Sequence, residues 1–152
     1  MASPLLIVAA MTVFATAATA QTILRREPLT IHTSAGAKVF DVEIAADDRE
    51  KAVGLMFRTS LADTTGMLFA YGQPQELTMW MKNTYIPLDM LFIRADGVIH
   101  RIAPMTEPLS ERVVASGGPV TAVLELAGGA AARLGIKAGD RVAHRAFKSA
   151  KD

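Results

Sequence analysis

Residues 78–90, Thr-Met-Trp-Met-Lys-Asn-Thr-Tyr-Ile-Pro-Leu-Asp-Met, gather most of the side chains that could contact a ligand. They include the only tryptophan of the chain, Trp80. An indole ring offers a stacking platform, and Lys82, Asn83 and Asp89 offer polar contacts around it. Ligand sites combine apolar walls with a few such groups. The same residues also have a structural use. Lys82 and Asp89, seven positions apart across a proline-containing turn, could pair as ions. Asn83 could then satisfy backbone groups of that turn.

Two further chemistries are open. Glu125 stands between Leu124 and Leu126 in an apolar run, where a carboxylate must face solvent or find a partner. With Asp89 it would supply the two carboxyl groups of a hydrolase acting as acid and base. Met79 and Met81 place two thioethers at strand spacing, and soft sulfur ligands suit Cu(I). Methionine also fills core gaps, the commoner use beside Leu77. His32, His100 and His144 lie far apart and suggest strand or surface roles. No nucleophile elbow, phosphate loop, dinucleotide fingerprint or zinc-protease motif is present. No metal site and no cofactor is expected.

The elements that must position these groups are mostly strands. Residues 29–33 and 38–44 read as a hairpin, with Phe40, Val42 and Ile44 on one face and Asp41 and Glu43 on the other. Asp47 opens a helix, and Glu50 three residues on completes a capping box. Gly54 within the following apolar run implies a short helix or a close backbone approach. Residues 66–69 and 77–82 predict two strands separated by a break at Pro74. Residues 88–94 and 98–102 flank an Asp96-Gly97 turn. Residues 104–118 predict a long loop, and 120–126 a strand. A short helix over 130–134 closes at Gly135, and a last strand runs over 141–147. Eight strands and two short helices with tight connections predict an α+β, mostly β domain. Its sheet should be curled or barrel-like and largely antiparallel.

Composition bounds the class. The chain has 152 residues, a net charge of +1 and no cysteine. The length suits one domain. The charge gives no basic excess for nucleic acid. The lack of thiols excludes disulfides, thiolate metal sites and a cysteine nucleophile. Residues 1–20 hold 15 apolar side chains and no charge, and end in Ala-Thr-Ala. This short stretch reads as a secretory signal peptide rather than a membrane span. It lacks a basic residue near its start, so an uncleaved anchor is the alternative. The remainder has an apolar content of about 47%, ordinary for a soluble domain. The expected organisation is a signal at 1–20, a linker at 21–28, one domain at 29–147 and a polar tail at 148–152. The expected location is the periplasm, or secretion.

Several blocks follow one order and spacing: Gly54-Leu-Met-Phe-Arg58, Gly66-Met-Leu-Phe69, Trp80-Met-Lys-Asn-Thr84, Ile86-Pro-Leu-Asp-Met-Leu-Phe92, Leu124-Glu-Leu126 and Gly139-Asp140. In these the chain closely resembles the bacterial and archaeal family called domain of unknown function 192, over about residues 29–147. The resemblance implies a compact, mostly-β and often exported domain, without an established activity. It marks Arg58, Trp80, Lys82, Asn83, Asp89 and Glu125 as important without separating fold from function, and these six are taken as the candidate ligand-binding residues. The turn at Gly135-Ile-Lys-Ala-Gly-Asp140 also looks like part of a PDZ domain, but the order and spacing of the remaining blocks do not suit that fold.

The leading expectation is a non-enzymatic module that binds a small molecule, glycan or peptide at the cell envelope. The alternatives are a hydrolase using Asp89 and Glu125, and a Cu(I) site at Met79 and Met81. No nucleic-acid partner is expected, nor a membrane span after signal cleavage.

Overall fold

A computed structural model describes residues 23–147. The signal expected at 1–20 and the tail at 148–152 lie outside the described residues. Seven strands and two short helices follow in order: β1 (Arg26–Thr33), β2 (Gly36–Ala45), α1 (Asp48–Val53), β3 (Thr65–Met79), β4 (Leu88–Ile93), β5 (Ile99–Thr106), β6 (Val114–Ala127), α2 (Ala130–Leu134) and β7 (Arg141–Ala143). They form one sheet in the order β5-β4-β6-β3-β2-β1-β7. Every neighbouring pair is antiparallel except β2 and β3. A parallel pair needs a crossover, and α1 with its flanking loops supplies it. The sheet curls into a half-barrel. Its two edges approach where Val98 bridges Arg141, the Val142 N–H donates to Gly97 O and the Ile99 N–H donates to Asp140 O.

Local chemistry accounts for the helix ends. The Asp47 carboxylate accepts from the Glu50 N–H at 2.7 Å, and the Glu50 carboxylate accepts from the Asp47 N–H at 3.1 Å. This is the capping box read from sequence. Gly54 then takes φ 49°, and a Cβ on it would stand 3.1 Å from the Phe69 ring. The close approach expected there is thus a ring against the backbone. Gly135, at φ 71°, ends α2. At the β4–β5 turn the Asp96 side chain accepts from the Val98 N–H, with Gly97 at φ 81°.

Four boundaries differ from expectation. Residues 66–69 and 77–82 do not make two strands. Pro74 lies within β3, which runs on through irregular register between Ala70 and Gln75. A proline is tolerated where the ladder is already interrupted. The long loop expected over 104–118 shrinks to 107–113, because β5 continues to Thr106 and β6 begins at Val114. Ser116 makes this possible: its hydroxyl accepts from the Leu77 N–H at 3.0 Å and donates to Gly118 O at 2.7 Å. The linker expected over 21–28 is partly strand, since β1 starts at Arg26 and pairs Arg26 with Glu43. The last strand ends at Ala143, not Phe147.

The sheet carries an apolar layer on each face. One layer takes residues from all seven strands, including Ile31, Phe40, Leu68, Leu91, Ile99, Leu124 and Val142, and is joined by Ala130 and Ala131 of α2. The other includes Met67, Phe69, Met90, Phe92 and Val123, capped by Leu55 and Met81 from outside the sheet. Burying a side chain of this size contributes roughly 1.5–3 kcal/mol.

Candidate functional site

Strand register decides which candidates meet. Met90 of β4 faces Glu125 of β6, Glu125 faces Met67 of β3, and Met67 faces Glu43 of β2. Directly paired residues share a face, so Glu43, Met67, Glu125 and Met90 form one row across the second layer. Asp89 pairs one step further on, with Leu126. Side chains alternate along a strand, so Asp89 points to the opposite face. Asp89 and Glu125 therefore cannot act on one substrate from a shared pocket, and the expected carboxylate pair does not form.

Asp89 has a structural task. Fully buried at 0% exposure, its Oδ1 accepts from the Met105 N–H at 2.8 Å and the Gly129 N–H at 2.9 Å. Its Oδ2 accepts from the Ala131 N–H at 2.9 Å. The carboxylate thus fastens the start of α2 and the end of β5 to β4. Helix N-termini leave backbone donors free, and an anion satisfies them well. The ion pair expected between Lys82 and Asp89 does not form. Lys82 Nζ lies 5.1 Å from the Trp80 ring centroid and 3.9 Å from Glu111 Oε1.

Arg58 is also engaged elsewhere. It holds Glu43 through two contacts, 3.0 Å from Nη1 to Oε1 and 2.7 Å from Nη2 to Oε2. This fork tethers the loop after α1 to β2 and satisfies a buried carboxylate. Asn83 takes a left-handed backbone, φ 54°, a conformation asparagine tolerates. Its backbone carbonyl accepts from the Phe57 N–H at 2.8 Å, and its side-chain amide nitrogen lies 3.8 Å from Met56 Sδ. It shapes the turn rather than the cleft wall.

Trp80, Lys82 and Glu125 do meet. They line a cleft of about 110 Å³ between β3, β6, the 80–84 segment and α1. Trp80 is 47% exposed at its mouth and Glu125 is 3% exposed inside it. Gly54, Leu55, Met56, Phe69 and Met79 supply apolar wall. Lys51 of α1 stands over the Tyr71 ring, 4.8 Å from its centroid. Burial, with no compensating partner, pushes the Glu125 carboxyl from 4.5 up to about 8. Tyr71 is raised as well, by its own burial and then by Glu125 and Asp48. The cleft thus sets two ammonium groups against aromatic rings and holds an uncharged carboxylic acid within. Sequence reasoning missed Lys51 and Tyr71, which reach the cleft only through the crossover and the long β3.

Met79 lines the cleft, whereas Met81 is 1% exposed in the second core layer with its sulfur 3.1 Å from the Thr106 hydroxyl. A buried thioether already in contact with a hydroxyl cannot join Met79 around a copper ion, so Met81 is a core residue. No group of three or more His, Asp or Glu side chains poised for a metal occurs among the described residues. No helix among them is long and apolar enough to cross a membrane.

Fold and cleft define a small, mostly-β domain with a cleft lined by both apolar and charged side chains. The sequence model of the domain of unknown function 192 family, described as uncharacterized ACR, matches residues 30–144, and the chain belongs to that family. Solved structures share the fold, among them the following two. A protein of unknown function from Novosphingobium aromaticivorans is 41% identical with a TM-score of 0.77, over 88% of this chain and 100% of its own. A protein from Sinorhizobium meliloti described as a "putative transcription regulator" is 41% identical with a TM-score of 0.80, over 84% of this chain and 99% of its own. A search of the curated proteins finds no match.

Proposed function

We propose that the protein is an exported binding module of the cell envelope, and that the Trp80 cleft takes a small molecule or one group of a glycan or peptide. The observation that carries this reading is a half-exposed tryptophan framing a cleft of apolar side chains and two lysines, with a buried carboxyl that has no ion-pair partner inside. A domain selected for stability alone would fill that space with an apolar side chain. The residues assigned to the ligand are Trp80, Lys82 and Glu125, joined by Lys51. Arg58, Asn83 and Asp89 support the walls and the fold. A single carboxyl group in the cleft gives no partner for two-carboxylate hydrolysis.

The test is native mass spectrometry of the protein isolated from its own envelope fraction, followed by isothermal titration with the released compound. A bound small molecule whose affinity falls at least tenfold in Trp80→Ala supports the reading. Ligand-free protein, or binding indifferent to Trp80, refutes it. Fractionation that finds the chain only in the cytosol refutes the export part.

A further inference from the structure

We propose that the ligand of the cleft is a small organic anion, a carboxylate on an uncharged and largely apolar body, with its charged end between Lys51 and Lys82 and its body against Glu125. This deepens the reading above and rests on it. Three observations support the choice. Lys51 and Lys82 are cations that both line the cleft, each over an aromatic ring that also lines it. An anion brought next to such an ammonium is attracted and a cation repelled, the more strongly the less water lies between them. Two lysines therefore admit a carboxylate and repel an amine. The walls are Leu55, Met56, Phe69 and Met79, which suit an apolar body. Glu125 is buried and unpartnered, so a ligand oxygen or N–H would satisfy it.

The charged and titratable groups around Glu125 are Tyr71 on β3, Lys51 on α1 and Lys82 on the 80–84 segment. Asp48 acts on Tyr71, and Glu111 approaches Lys82 from outside. Glu43, in the same sheet row, is neutralised by Arg58. An ionised Glu125 would repel the anion, so the cleft is competent while Glu125 keeps its proton. With that proton lost at about pH 8, only about a tenth of the protein is competent at pH 9, and affinity falls about tenfold from pH 7.

Trp80 is the only tryptophan, so its fluorescence reports the cleft directly. N-acetyl-leucine and 4-methylpentanoic acid are titrated beside their uncharged counterparts, N-acetyl-leucinamide and 4-methylpentanamide. A carboxylate that binds at least tenfold tighter than its counterpart supports the proposal, and whichever wins separates a peptide end from a simple aliphatic acid. Lys51→Ala with Lys82→Ala should abolish that preference. Glu125→Gln, whatever its affinity at pH 7, should not show the tenfold fall between pH 7 and pH 9. Equal binding of the uncharged compounds overturns the anion and leaves cleft binding standing. Failure of both carboxylates at tens of millimolar also overturns it. A cleft that no probe and no co-isolated compound occupies sinks both readings.

Discussion

Replacing Glu125 with glutamine is expected to stabilise the protein at neutral pH. In the unfolded chain this carboxyl titrates at 4.5, and in the folded chain burial raises it to about 8. Between those values the folded form holds a proton that the unfolded form has released. Stability must then fall as pH rises through this window and level off above it. At 1.36 kcal/mol per pH unit, the loss amounts to about 3 kcal/mol at pH 7 and approaches about 5 kcal/mol above pH 8. Glutamine has nearly the same shape and no charge to desolvate. Its advantage over the wild type should grow by about 3–4 kcal/mol between pH 5 and pH 8. At pH 7 that corresponds to a Tm higher by about 10 °C for a domain of this size. The assay is urea unfolding of both proteins at several pH values. Every other titrating group is common to both proteins and cancels in the difference. Stability curves that run parallel within about 0.5 kcal/mol would refute the argument, because Glu125 would then be solvated or paired. Confirmation would show a residue that opposes folding at neutral pH, as expected of a group kept for binding.

Three other substitutions probe the supports of the cleft. Asp89→Asn should destabilise by about 3–5 kcal/mol, since one amide hydrogen must oppose a backbone N–H and the charged bonds are lost; a loss below about 1 kcal/mol in urea unfolding would show the carboxylate to be dispensable. Arg58→Met should cost about 3 kcal/mol by leaving Glu43 buried with only Arg26 at 3.5 Å, and the double variant with Glu43→Gln should recover most of it in a thermal melt. Gly66→Ala should cost about 3 kcal/mol, because its Cβ would stand 2.5 Å from the Glu125 carbonyl oxygen in the adjacent strand; an unchanged Tm would mean that β3 and β6 separate freely.

Much of the fold was legible locally. The capping box at Asp47 and Glu50, the Asp96-Gly97 turn and the Gly135 helix end all formed where the sequence put them. Each depends on residues within four positions of one another. The family blocks likewise identified the domain, and the family match agrees. Expectation failed where a distant partner intervened. Pro74 stayed within a strand because β3 pairs with β6 on either side of the irregular stretch that holds it, and Ser116 shortened a loop by bonding to Leu77, 39 residues away.

The site divides along the same line. Residue types alone determined that a tryptophan, a lysine and an apolar-flanked glutamate were available, and that no thiol chemistry was. Only tertiary structure decided their company. Pairing Met90, not Asp89, with Glu125 placed the two acids on opposite faces of the sheet. One acid went to the backbone donors of α2, and the other went into the cleft. The β2–β3 crossover brought Lys51 beside it. Side-chain direction alternates with period two, so a single step of register between distant strands exchanges one face for the other. No local sequence signal records that step.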